Sequence, residues 1–257
     1  MAKLRHAART NVGKVRKNNE DDYALNAEQG VFVLCDGMGG HEGGEVASRL
    51  AVTTVIDFFK NAQNKSDENT WPFGFDSGVA FRANCLSTGI LLANQRILDA
   101  IAENPKLEKM GTTIVSLVFD ERKGWFAHVG DSRGYLYSRG KLAQITADHS
   151  WVGEQVRMGI ITAEEAEHHA FRNVITRSLG MADPPKVDLT PVDPQSGDIF
   201  LLCSDGLSGM VSDQGIEELI RGNHDDLEKC ADMLIEAALE GGGKDNVTVI
   251  LVEYLGE

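Results

Sequence analysis

The sequence predicts an α+β fold, and three observations carry that prediction. Short apolar runs of strand length recur along the chain, above all Val31-Phe32-Val33-Leu34-Cys35, Ile199-Phe200-Leu201-Leu202-Cys203 and Val247-Thr248-Val249-Ile250-Leu251-Val252. Two long stretches, about 42–62 and about 76–103, place apolar residues at helical spacing. Between helices and C-terminus lies a β-rich middle with two hairpin signals.

In chain order, residues 4–10 and 23–26 read as short strands. Residues 31–35 read as a strand buried on both faces, being too short and too uniformly apolar for a helix. In the first helix, Val46, Leu50, Ala51, Thr54, Val55, Phe58 and Phe59 form one buried stripe. The polar stretch 61–74, containing Trp71-Pro72, reads as a loop. The second helix carries Val79, Leu86, Ile90, Ile97, Leu98 and Ile101 on one face. Segments 112–120 and 124–130 form a hairpin about Glu121-Arg122-Lys123-Gly124, and 135–138 with 142–146 form another about Arg139-Gly140. Residues 148–180 interrupt the strand pattern, and Thr162-Ala163-Glu164-Glu165 matches a capping box. This segment is expected to be an inserted helical flap within one domain spanning 1–257. Helices at about 213–221 and 227–239 precede the last strand, 247–252.

The chain has 257 residues, enough for a substantial core, and a formal net charge of -14. That charge excludes a general nucleic-acid binder and a polybasic membrane anchor, while acidic clusters suit cations. No run reaches the roughly 18 apolar residues of a membrane span, and the first residues lack a signal-peptide core. None of the four cysteines, Cys35, Cys85, Cys203 and Cys230, forms a CxxC pair, so they are expected to be reduced, buried thiols of a cytoplasmic protein.

The chain is organised around Val31-Phe32-Val33-Leu34-Cys35-Asp36-Gly37-Met38-Gly39-Gly40-His41, in which a buried strand delivers a carboxylate beside glycines. Alone, strand-Asp-Gly is ordinarily a turn. The pattern returns at Cys203-Ser204-Asp205-Gly206, and Asp245 stands just before the strand 247–252. An antiparallel neighbour would bring the three carboxylates to one place. The charged run Val15 to Asp22 reads either as a solvated loop or as Arg16 holding an anion while Glu20 and Asp21 face a cation; arginine's planar fork suits phosphate. Gly130-Asp131-Ser132-Arg133 reads as a turn or as a further acidic position.

Taken in order, Arg16-Lys17-Asn18-Asn19-Glu20-Asp21, Asp36-Gly37-Met38-Gly39-Gly40-His41, Gly111-Thr112-Thr113, Gly130-Asp131-Ser132-Arg133, Ser204-Asp205-Gly206-Leu207 and Asp245-Asn246-Val247-Thr248 resemble the metal-dependent protein phosphatase family, the protein phosphatase 2C type, in its bacterial branch. The resemblance runs from Val15 to Val249. It implies an α-β-β-α sandwich of two antiparallel sheets flanked by helices. It also implies a centre of two Mg²⁺ or Mn²⁺ ions, with Asp36 bridging them, the Gly37 carbonyl on one, and Asp205 and Asp245 on the other. Glu20 and Asp21 would act through waters, Asp131 with Asp205 would form a third metal site, and Arg16 would bind the phosphoryl oxygens. Hard oxygen donors suit these ions, and a water between two cations roughly 3.5–4 Å apart becomes a nucleophile near neutral pH. The implied activity is hydrolysis of phosphoserine and phosphothreonine in proteins, in bacterial signalling opposite a Ser/Thr kinase, by a monomer.

Many animal and plant relatives carry histidine where this chain has Met38, which has no titratable proton. His41 is the nearby replacement as general acid; a structural role for it, or proton donation by a metal-bound water, are the alternatives. Two rival functions are compatible with the sequence: a non-catalytic phosphatase-like binding domain, and a hydrolase for small phosphoesters. The first would ordinarily have lost metal aspartates, all of which are present here.

Overall fold

The computed structural model describes residues 2–39, 43–62, 71–120 and 123–256. In chain order these form β1 (Lys3–Asn11), β2 (Asp21–Asn26), β3 (Val31–Met38), α1 (Gly43–Ala62), α2 (Phe81–Glu103), β4 (Gly111–Thr112), β5 (Ile114–Asp120), β6 (Lys123–Val129), β7 (Arg133–Ser138), β8 (Lys141–Gln144), α3 (Trp151–Arg157), α4 (Ala163–Glu167), β9 (Asp188–Val192), β10 (Ile199–Cys203), α5 (Asp205–Ser208), α6 (Asp213–Asn223), α7 (Leu227–Glu240) and β11 (Val247–Gly256). Among the described residues one sheet has the order β1-β11-β10-β7-β8 and the other β2-β3-β5-β6-β9, with β4 paired to the end of β3. Every pairing is antiparallel.

The continuous apolar runs are explained by cover on both faces. Because side chains alternate along a strand, Phe32 and Leu34 face one way and Val31, Val33 and Cys35 the other. The first set meets Phe200, Leu202, Ile250 and Val252 of the opposite sheet, forming the core between the sheets. The second set packs beneath α1 and α2, against Ala51, Val55, Leu86 and Ile90. The outer face of the other sheet, with Leu201, Cys203, Val249 and Leu251, is covered by α5, α6 and α7 through Leu207, Ile216, Ile220 and Leu234. The architecture is therefore helix, sheet, sheet, helix, with all four cysteines buried as free thiols.

The hairpin of β7 and β8 closes through Arg139 and Gly140, both at positive φ (51° and 79°), the two-residue turn that matches strand twist. The β5–β6 hairpin pairs Asp120 with Lys123, and the Glu121-Arg122 part of its expected turn lies outside the described residues. Three readings of local structure change. The second helix begins at Phe81 rather than near Asp76, because Asn84 folds back: its Nδ2 donates to the Asp76, Val79 and Ala80 carbonyls and its Oδ1 accepts from the Asp76 amide. Asp188–Val192 is a strand missed in the sequence. It is short, contains Pro191 and sits at a sheet edge, the position where proline is tolerated. Asp205 opens a one-turn helix rather than ending a strand. No helix among the described residues is long and apolar enough to cross a membrane.

Candidate metal centre

Strand alternation decides where the carboxylates go. Asp36 shares the face of Phe32 and Leu34, so its side chain emerges between the sheets at their end. Asp21 is its direct cross-strand partner on β2. From the other sheet, β10 leads through Ser204 to Asp205, and antiparallel β11 begins just after Asp245 and Asn246. Asp131 sits in the turn between β6 and β7. Asp21, Asp36, Asp131, Asp205 and Asp245 are thus gathered from two sheets, close enough for each to act electrostatically on Asp36.

Asp21 forms the floor. Its Oδ2 accepts from Ser204 Oγ (2.8 Å) and Thr248 Oγ1 (2.7 Å), a polar clasp between the sheets. Its Oδ1 is buried and has no hydrogen-bond partner, and the same holds for Glu20 Oε1. Burial pushes the Asp21 carboxyl up to about 7, against the lowering effect of those two hydroxyls. Asp131 is also pushed up to about 7, by burial and by Asp205 and Asp148. Asp36 is held well above the ordinary range by burial and then by Asp21, Asp205, Asp131 and Asp245. Asp205 rises through burial and Asp245, and Glu20 chiefly through burial. Crowded carboxylates with unpartnered buried oxygens lack a compensating charge, and an all-oxygen donor set of this kind fits Mg²⁺ or Mn²⁺. The residues present therefore fit the ions implied by the sequence.

Gly37 and Gly44 allow the walls of the site to touch. A Cβ at Gly37 would overlap the Gly44 carbonyl and Glu20 backbone, and one at Gly44 would overlap the Glu20 carboxylate. The Gly37 amide donates to the Glu20 carbonyl (3.1 Å). Arg16 stands at the rim with 47% of its side chain exposed, its Nη2 2.7 Å from Asp245 Oδ2 and its Nη1 3.7 Å from Glu20 Oε2. The arginine read as a phosphate binder is thus paired with a carboxylate of the centre. His41 lies outside the described residues.

Two elements of the site carried no role in the sequence reading. Asn246 is 3% exposed. Its Nδ2 donates to the carbonyls of Val12 and Asn18 (2.9 Å each), and its Oδ1 accepts from the Glu20 amide (2.8 Å). One side chain therefore fixes both ends of the loop that carries Arg16. The second is a cluster of His128, His149 and Asp188, whose candidate ligand atoms lie within 4.8 Å of one another. The two rings stack at 4.5 Å and 16°, which keeps their in-plane lone pairs from converging on one ion. His128 Nε2 faces the Ala147 carbonyl, His149 Nδ1 accepts from the Gly130 amide, and His149 Nε2 faces Asp188. Burial lowers both imidazoles, His149 to about 4, so the pair is neutral. These contacts depend on residues distant in sequence; Asn246 stood in a motif without a role, and nothing in the sequence singled out His128, His149 or Asp188.

A sequence profile described as Protein phosphatase 2C matches residues 13–240. The chain is 36% identical over 251 residues to the serine/threonine phosphatase stp of Listeria innocua, covering 95% of this chain and 94% of that protein. It is 40% identical over 252 residues to the serine/threonine protein phosphatase PstP of Mycobacterium tuberculosis, covering 98% of this chain but 45% of that longer protein. The crystal structure of the Mycobacterium tuberculosis phosphatase superposes with a TM-score of 0.85 at 38% identity over 99% of both chains. A structure of the PstP catalytic domain in complex with 2 manganese ions gives 0.83 at 37% identity over 98% of both. With its sandwich, its gathered aspartates and these likenesses, the chain belongs to the protein phosphatase 2C family.

Proposed function

We propose that the chain is a metal-dependent protein phosphatase that removes phosphate from phosphoserine and phosphothreonine, working in the cytoplasm as a monomer opposite a serine/threonine kinase. The observation that carries this reading is the meeting of Asp36, Asp205 and Asp245 beside Arg16, with buried oxygens of Glu20 and Asp21 left unpartnered. Asp36 and the Gly37 carbonyl would hold one ion, Asp36, Asp205 and Asp245 the second, and Asp131 with Asp205 a third. Glu20 and Asp21 orient water from the floor of the site. Bound Mg²⁺ or Mn²⁺ supplies a nucleophilic water near neutral pH and neutralises phosphate charge. Arg16 leaves Asp245 to take phosphoryl oxygens in its planar fork, which aligns phosphorus for in-line attack. Met38 has no proton to give, so His41 is the side-chain candidate for protonating the leaving alkoxide. The flap at 148–180 carries exposed Met158, Ile160 and Phe171 and is the segment that meets a protein substrate.

The test is phosphate release from a phosphothreonine peptide with Mn²⁺, with Mg²⁺ and with EDTA, on the wild type and Asp205→Ala. The expected result is metal-dependent turnover reduced about a hundredfold or more in the variant, since a lost ligand removes several kcal/mol of charge stabilisation. Turnover that survives EDTA, or an Asp205→Ala enzyme of normal rate, would sink the reading.

A further inference from the structure

Two residues at the start of the 148–180 segment, His149 and Asp148, contact the turn that carries Asp131. His149, at the flap's first stem, is fully buried. It grips Gly130 twice: its amide donates to the Gly130 carbonyl (2.9 Å), and its Nδ1 accepts from the Gly130 amide (3.0 Å). An Nδ1 that accepts carries no proton, so the ring's proton is on Nε2, 3.1 Å from Asp188 Oδ2. Arg177, from the flap's returning arm, holds the other oxygen of Asp188 at 3.2 Å. The Thr176 amide donates to the His149 carbonyl (2.8 Å), joining the two stems.

Gly130 directly precedes Asp131, and the turn has little freedom elsewhere. A Cβ at Gly130, which has a φ of +115°, would press on Thr113. Ser132 Oγ lies 2.7 Å from Thr113 Oγ1, and Arg133 grips Asp148, the residue before His149, with Nη2 to Oδ2 at 2.7 Å. Asp131 is therefore bracketed by contacts on Gly130, Ser132 and Arg133, and two of those three come from the flap's first stem.

We infer that His149 is a positioning residue: through Gly130 it sets the Asp131 carboxylate relative to Asp205, so that flap placement and cation affinity at the Asp131–Asp205 pair are coupled. The inference rests on the reading of Asp131 as a third metal position. Groups that orient ligands typically change metal affinity by about 10–100-fold.

The experiment is calorimetric titration of Mn²⁺ into the folded wild type, His149→Phe, His149→Asn and Asp131→Asn. Phenylalanine keeps the ring volume and loses the acceptor; asparagine places an oxygen where Nδ1 was. The weakest Mn²⁺ event is expected to weaken about tenfold or more in His149→Phe, with the tighter events unchanged, and to recover in His149→Asn. A His149→Phe protein that titrates like wild type, or a His149→Asn protein as impaired as it, overturns the coupling. If Asp131→Asn keeps the weakest event, the third-site reading falls and takes the coupling with it. The wild type gives a measurement free of folding defects: a nitrogen–nitrogen NMR coupling across the hydrogen bond between the Gly130 amide and His149 Nδ1. Its detection supports the inference, and an imidazole protonated on Nδ1 overturns it.

Discussion

Gly206 shows how one residue can be fixed by a contact invisible in its own neighbourhood. The dipeptide Asp205-Gly206 reads as a turn, but Gly206 lies in the one-turn helix α5, where a Cβ would overlap the carbonyl oxygen of Asn246. That carbonyl cannot retreat, because the Asn246 side chain is bound to Val12, Asn18 and Glu20. Gly206→Ala is expected to lower stability by about 1–3 kcal/mol, the usual result of forcing atoms into a packed site, and to lower activity by displacing Asp205 and Asp245 together. Urea denaturation and phosphopeptide turnover check it; an alanine variant of wild-type stability would show that the two segments can part. The aspartates stood out as candidates because the strand-Asp-Gly pattern recurs at Asp36 and Asp205 with Asp245 before a third strand, not because any one of them differs from an ordinary turn. Asn246 and His149 were not, because their hydrogen-bond partners lie far away in the chain or in backbone groups that carry no residue-type signal.

Among the elements, the long ones were the most legible. α1 and α7 follow the apolar spacing that predicts them, and α7 begins at the Asp226 cap, whose side chain accepts from the Lys229 amide. α6 likewise starts at Ser212, which caps the Gly215 amide. Gly222 in α6 is a weak point without a structural reason: it is exposed, and a Cβ there would meet nothing within 4 Å. Gly222→Ala is expected to raise stability by a few tenths to about 1 kcal/mol, through helix propensity alone, with turnover unchanged. A thermal melt showing no gain would place the end of α6 outside regular helix in solution. Short elements behaved differently. β9 has Pro191 within five residues and, among the described residues, pairs with β6 alone, so its identity as a strand comes from that neighbour rather than from its own composition.

At the scale of the whole molecule, the acidic centre opposes folding until a cation arrives. Five carboxyls, Glu20, Asp21, Asp36, Asp131 and Asp205, are raised above their ordinary value, two of them to about 7. Between about pH 4 and about pH 7 the folded state therefore holds protons that the unfolded chain has lost. Stability from these groups is full below the lower limit and is lost as pH rises through the window. His149, lowered to about 4, and His128, lowered in the same direction, contribute the opposite slope below their ordinary value. The raised carboxyls outnumber the two imidazoles, so the falling slope is the one expected to be seen. In EDTA the melting temperature is expected to fall from about pH 5 to about pH 7.5, and saturating Mn²⁺ is expected to reverse that trend by binding the deprotonated carboxylates. Melts that rise with pH in EDTA would contradict this account of the centre.

Sequence alone determined the elements whose signal repeats within themselves. These are the two amphipathic helices over α1 and α2, the doubly covered strands β3, β10 and β11, and the carboxylates Asp36, Asp205 and Asp245 at their ends. Local periodicity and the chemistry of residue types suffice there, because burial on a fixed face leaves a fixed spacing. Tertiary structure decided what depends on two distant segments meeting. It put Asp21 on Ser204 and Thr248, set Arg16 against Asp245, made Asn246 the clamp on the Arg16 loop, and joined His149 to Gly130. Hydrogen bonds between side chains and remote backbone carry no periodic trace; the pairings of β11 with β1 and β10, the β7–β8 hairpin and the packing of the two sheets bring those partners together.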